Sequence, residues 1–207
     1  MTLKQAVAMV SGGFALVMVA AVLATTAAGA PKLKIGDPGP TWSGLAGVDD
    51  KQHALPDYEK AKLIVVVFTC NHCPVAVAYQ DRLIALQKDY ESKGVQVVAI
   101  NSNSPKKQPP DSFGKMKERA KEKDFNFPYL FDETQNVAKD YGATCTPHVF
   151  LLDQNRKVAY MGAIDDSMKA DKVKVPFLRS ALDALLSGKK PPKEVTSQFG
   201  CSIKWDN

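Results

Sequence analysis

Leu63-Ile64-Val65-Val66-Val67-Phe68 is an unbroken, β-branched apolar run with no polar residue on either alternate face. A strand with one wet face would alternate, so this run predicts burial on both sides, as in a central strand of a parallel sheet. Pro74 follows shortly and suits the first turn of a helix, where its missing N–H does no harm. Val75, Tyr79, Leu83, Leu86 and Tyr90 step by three or four residues, which lays an apolar stripe along that helix until Gly94 ends it. Val95-Gln96-Val97-Val98-Ala99-Ile100 is a second strand. The order predicts a strand–helix–strand unit with a right-handed crossover.

Further along, 101–111 reads as a polar, Pro-rich loop and 112–123 as a charged helix whose lysines (Lys115–Lys123) form a solvated face. Phe127-Pro128-Tyr129-Leu130-Phe131 reads as a short strand, and Val137–Tyr141 as one helical stretch stopped by Gly142. Val149–Leu152 and Val158–Met161 are joined by Asp153-Gln154-Asn155-Arg156, a spacing that suits a hairpin. Phe177, Leu178, Ala181, Leu182, Leu185 and Leu186 give a last amphipathic helix before Gly188. The predicted fold class is α/β, with a mixed central sheet and helices on both faces.

The ends of the chain differ from this middle. Lys4 is the last charge before Lys32; between them lie an apolar stretch, 6–24, and the small residues Thr25–Ala30. Charged start, apolar middle and small-residue end predict a secretory signal peptide over 1–28, with a retained N-terminal anchor as the alternative. The expected location is therefore periplasmic or otherwise extracytoplasmic, where disulfides persist. No cysteine sits near the cleavage zone, which excludes a lipoprotein anchor. Residues 32–188 form the predicted domain, and 189–207 a tail expected to pack near the active site. With 45% hydrophobic residues and a net charge of only +5, disorder is excluded and no nucleic-acid partner is implied. Membrane contact is expected only if the N-terminal segment is retained.

Chemistry concentrates in Thr69-Cys70-Asn71-His72-Cys73-Pro74, two thiols leaving a buried strand and entering a helix. Unpaired N–H groups and the positive dipole end at a helix N-terminus favour thiolate over thiol. Cys70, ahead of the helix, is expected to be the more exposed sulfur and the attacker, with Cys73 resolving. His72 between them would stabilise the thiolate and push the pair toward oxidising. A zinc site would need a second ligand pair, and His53, Cys145, His148 and Cys201 are scattered. Covalent haem needs His after the second Cys, where Pro74 stands. A structural disulfide across two residues would be strained. No cofactor and no resident metal are expected.

With a second motif, Gly142-Ala143-Thr144-Cys145-Thr146-Pro147-His148 ahead of the hairpin, the chain resembles the thioredoxin-like superfamily, in its exported TlpA/ResA-like and AhpC/TSA-type redoxin branch. The resemblance spans about 32–188, including the inserted helix and strand at 112–132. It implies a cis peptide at Pro147, facing the two cysteines, with Thr146 offering backbone groups to a bound substrate chain. It also implies a thiol–disulfide oxidoreductase acting on protein thiols or disulfides with an upstream redox partner. The histidine argues for an oxidant or isomerase, the resemblance for a reductase.

There are departures. Thr69 stands where relatives carry Trp, and Asn71-His72 where they carry Gly-Pro or similar. The strand 63–68 has no carboxylate to accept protons, leaving His72 and His148 as candidates. The Pro-x-x-x-Thr-x-x-Cys pattern of peroxiredoxins is missing, which disfavours an antioxidant peroxide reductase without removing it as the alternative. A copper- or zinc-binding thiol protein using Cys70, Cys73 and His72 is the other alternative. Finally, the tail segment Phe199–Trp205 resembles one carried by redoxins with Cys-Thr-Pro, so a Cys145–Cys201 disulfide is expected to pin the tail beside the site; two free thiols or a relay pair are the alternatives.

Overall fold

The computed structural model describes residues 33–206, and the expected export segment 1–28 lies outside them. The chain runs β1 (Leu45–Gly47), β2 (Gln52–His53), β3 (Leu63–Phe68), α1 (Pro74–Tyr90), β4 (Val95–Asn101), α2 (Phe113–Glu122), β5 (Tyr129–Phe131), α3 (Asn136–Tyr141), β6 (Cys145–Thr146), β7 (His148–Leu152), β8 (Val158–Gly162), α4 (Phe177–Leu186) and β9 (Cys201–Ser202). The main sheet has the order β2-β1-β5-β4-β3-β7-β8. β3, β4 and β5 are parallel neighbours, whereas β7 runs antiparallel to β3 and forms the expected hairpin with β8.

β3 lies in the middle because both of its faces are apolar. Leu63, Val65 and Val67 pack under α1 and α4, against Tyr79, Leu83, Leu86, Leu178 and Leu182. Ile64, Val66 and Phe68 fill the opposite layer with Leu130, Ala138, Tyr141 and Phe150, beneath α3. Each of these buried aliphatic side chains contributes about 2 kcal/mol of transfer free energy. Helix α1 begins at Pro74 with Cys73 as N-cap, and after one further turn the chain leaves it through Gly94 at φ 87°, a conformation that favours glycine.

Several boundaries differ from expectation for local reasons. β5 starts at Tyr129 rather than Phe127: Pro128 has no N–H to give and contributes only its carbonyl, to the Ala99 N–H at 2.9 Å. β1, β2, β6 and β9 are two or three residues long, too short to leave a period in the sequence. In the lysine-rich helix Met116 is the residue that packs inward, while Lys117 and Lys123 pair with Asp50 and Asp81 on the surface.

Beside the main core, Asp165 is 6% exposed and accepts from the Tyr79 hydroxyl and Arg82 Nη1, both at 2.6 Å. Arg82 also donates to the Ser167 and Met168 carbonyls, tying α1 to the segment after β8. Asp165→Ala removes the charge partner of a largely buried guanidinium and is expected to lower unfolding free energy by about 3 kcal/mol, read from urea denaturation.

Candidate active site

The C-terminal ends of β3 and β4 and the N-terminal end of β7 meet at one edge of the sheet. The ladder continues one residue past β3, with the Thr69 N–H donating to Ile100 at 2.9 Å, and the chain then turns through Cys70, Asn71 and His72 into α1. Cys70 and Cys73 are both 0% exposed. This corrects the expectation that Cys70 is the more exposed sulfur: lying ahead of the helix does not bare it, because the segment around Thr146 and the C-terminal tail cover the pair.

Thr146–Pro147 is a cis peptide bond and brings Thr146 onto the thiols. Thr146 Oγ1 is 3.1 Å from Cys70 Sγ, and the Thr146 carbonyl accepts from Cys73 Sγ at 3.3 Å when Cys73 carries its proton. Pro147 itself links β6 to β7 directly beneath this contact.

The two sulfurs share one charge. Cys70 is held well above the usual thiol range, first by its hydrogen bond with the Cys73 sulfur, then by burial and by the negative charge of Asp111. Cys73 is pulled down to about 4, first by the same hydrogen bond, accepted from Cys70, and against the cost of burial by donors at Cys201 and Ala76. The two shifts run in opposite directions, which favours the charge of the reduced pair on Cys73 and the proton on Cys70.

The residue that sequence reasoning missed is Asp111. The polar loop 101–111 exposes Lys106, Lys107, Pro109 and Pro110 but buries both its ends, with Asn101, Ser102, Asn103, Ser104 and Asp111 all inside. Asp111 Oδ1 accepts the Asn71 N–H at 2.7 Å and the His72 N–H at 3.2 Å. Its Oδ2 accepts from Asn103 Nδ2 at 2.8 Å and pairs with His72 Nδ1. Tyr129 completes the cluster by donating to Asn71 Oδ1 at 3.1 Å. The carboxylate absent from β3 is thus supplied by the loop after its parallel neighbour β4. The signal was available, since a parallel β3–β4 pair puts the loops after both strands side by side.

His148, the other proton-acceptor candidate, does not serve. It lies opposite Phe68 in the ladder, packs on Phe150, and its Nδ1 finds no partner among the described residues. Burial lowers its pKa from 6.5 to about 4, so it is neutral at pH 7. Between those values the unfolded chain binds the extra proton, so stability is full above pH 6.5 and falls toward pH 4. The expected loss attributable to this group is about 3 kcal/mol, and His148→Phe should flatten that part of the profile in urea titrations.

The expected Cys145–Cys201 disulfide is also corrected. All four cysteines are free. β6 and β9 pair antiparallel with Cys145 opposite Ser202 and Thr146 opposite Cys201. Directly opposed residues share a face of the ladder, so Cys145 and Cys201 project to opposite faces. Cys201 joins Thr146 on the side of Cys70, Cys73 and Ala76, while the Cys145 sulfur turns to the Pro147 carbonyl at 3.7 Å.

Cys70, His72 and Asp111 hold their donor atoms within 4.8 Å of one another, a thiol, imidazole and carboxylate set that suits a zinc-like cation. Sequence spacing had grouped Cys73 in place of Asp111. The same three groups set Cys70 Sγ beside a partly buried imidazole paired with a buried carboxylate.

Comparison with known proteins places the fold and the family. A family model described as Redoxin matches residues 34–176. The thiol-disulfide oxidoreductase ResA of Geobacillus thermodenitrificans is 29% identical over 117 residues, 55% of this chain and 61% of that protein's own length. An uncharacterized conserved protein from Geobacillus kaustophilus superposes with TM-score 0.79 at 42% identity, covering 84% of this chain and 93% of the other. The thioredoxin domain of a Bacteroides vulgatus thiol-disulfide oxidoreductase matches in fold at 18% identity and TM-score 0.52, over 61% of this chain and 86% of that domain. The fold is thioredoxin-like.

Proposed function

The chain belongs to the Redoxin family, and from that premise we propose that it is an exported thiol–disulfide oxidoreductase working on protein disulfides or dithiols through Cys70 and Cys73. The observation that carries this reading is the Cys70–His72–Asp111 cluster beside Cys73, with Thr146 in contact with both sulfurs. Cys70 gives its proton to His72, which the Asp111 carboxylate holds in place, and attacks a substrate disulfide. A Cys70–substrate mixed disulfide forms and one substrate thiolate leaves. Cys73, already charged, then attacks Cys70 Sγ, which closes the Cys70–Cys73 disulfide and releases the reduced substrate. Run backwards, the same steps oxidise a dithiol. Thr146, in contact with both sulfurs, positions the pair during these exchanges.

Export rests on the pattern of 1–28, and no helix among the described residues is long and apolar enough to cross a membrane. The named activity of the Geobacillus thermodenitrificans relative supports the reaction class. Insulin reduction with dithiothreitol as electron source tests it: the wild-type chain should shorten the lag before insulin precipitates, and an unchanged lag contradicts the reading. Turnover of hydrogen peroxide at a rate exceeding disulfide reduction would favour peroxidase chemistry instead.

A further inference from the structure

Three sulfurs, not two, meet at this site. Cys201 lies on β9, opposite Thr146 and on the same face of the ladder. It packs against the cluster of Cys70, Cys73 and Ala76, close enough to help lower the Cys73 pKa. Cys70 and Cys73 have no exposed surface, whereas Cys201 is partly exposed. A reagent arriving from solvent therefore reaches the tail thiol before the buried pair.

The tail is held in this position by more than one short ladder. The Lys204 N–H donates to Asn103 Oδ1 at 2.8 Å, and Gln135 Nε2 donates to the Lys204 carbonyl at 2.9 Å. Ile203 is buried in the core layer beneath α3. Gly200 lets the backbone lie flush on β6: at φ 156° a Cβ there would stand 2.0 Å from the Thr146 carbonyl oxygen. Asn103 also binds Asp111, so one side chain joins the tail to the proton-accepting pair.

Resting on the proposed thiol–disulfide reading, we infer that Cys201 is a third exchanging thiol, which attacks Cys73 Sγ in the Cys70–Cys73 disulfide to form a Cys73–Cys201 disulfide and free Cys70. One S–S bond breaks and one forms, and no electrons enter or leave. The proton lost by Cys201 is balanced by the one Cys70 takes up. The oxidised protein is then a mixture of two disulfide isomers, one carrying its bond to the solvent-facing tail. In the reduced state burial and the neighbouring Cys73 sulfur raise the Cys201 pKa to about 11, so its thiol keeps its proton.

The full chain can be oxidised with oxidised dithiothreitol, quenched with acid and N-ethylmaleimide, and digested with trypsin without reduction. Cys70 and Cys73 fall in one tryptic peptide, 63–82, and Cys201 in another, 194–204, so the isomers differ in mass and connectivity. Wild type should give both the internal link and a Cys73–Cys201 cross-link. In Cys70→Ser the cross-link should dominate. Gly200→Ala, which lifts β9 from β6, should lower the cross-linked fraction at least tenfold and leave the Cys70–Cys73 link intact. Full alkylation of Cys201 in oxidised wild type and in Cys70→Ser would overturn the inference, as would a cross-link to Cys145 or one indifferent to Gly200→Ala. The parent reading is judged separately, by the Cys70–Cys73 link and by insulin reduction, neither of which needs Cys201.

Discussion

Cys70→Ser is expected to abolish insulin reduction, lowering the rate by at least about 10³-fold to the background of dithiothreitol alone. Serine is slightly smaller than cysteine but keeps a polar atom facing Thr146 Oγ1, so the fold should persist by circular dichroism. What is lost is the sulfur proposed to attack the substrate, and a hydroxyl cannot form a mixed disulfide. At about 1.4 kcal/mol per factor of ten, the loss corresponds to roughly 4 kcal/mol of transition-state stabilisation. Cys73→Ser should fail at a different step. Attack by Cys70 still occurs, but release slows, so a Cys70-linked adduct with a cysteine-containing substrate peptide should accumulate and be visible by mass. An enzyme using Cys73 as first attacker would accumulate its adduct in the Cys70 variant instead.

The second large effect is expected at Asp111. Asp111→Asn keeps the shape and one acceptor for the Asn71 and His72 N–H groups but removes the charge facing His72 and Asn103. Disulfide reduction at pH 7 should fall by about 10²-fold, the usual scale for a proton-transfer partner. The Cys70 thiol should titrate lower in the variant, because Asp111 is one of the groups holding it up. A slower enzyme with a more acidic attacking thiol separates loss of proton transfer from mere loss of thiolate; absorbance near 240 nm against pH reads the thiolate directly. Because Asp111 is fully buried and accepts charge-assisted hydrogen bonds, about 2 kcal/mol of stability should be lost as well. Wild-type activity in Asp111→Asn would remove the His72–Asp111 pair from the mechanism.

Much of this protein was legible before any coordinates. Leu63–Phe68 declared itself because both of its alternate faces are apolar, and no surface strand is built that way. The Cys70/Cys73 pair stood out by residue type and spacing, and the structure buries the two residues side by side. Asp111 was not, because it is bonded to residues 39 and 40 positions away and its burial is made entirely by tertiary neighbours. A lone acid in a polar, Pro-rich loop looks solvated until the parallel register of β3 and β4 places it. Cys201 was expected near the site and bonded to Cys145, whereas the structure packs it against Cys70 and Cys73. A two-residue ladder leaves no period in the sequence, and shifting it by one residue exchanges which sulfur faces which. Exposure of Cys70 was misjudged for a related reason: the residues covering it, Thr146 and the tail, are supplied from far along the chain.

The most direct test of the central claim is a redox titration of the full-length wild type in dithiothreitol buffers, with free thiols counted by alkylation and located by peptide mapping. A dithiol–disulfide couple predicts that the four free cysteines of the reduced chain fall to two in one two-electron step, with Cys70–Cys73 among the disulfides formed. Four alkylated cysteines across the whole range, or loss of thiols with Cys70 and Cys73 both still alkylated, would contradict it.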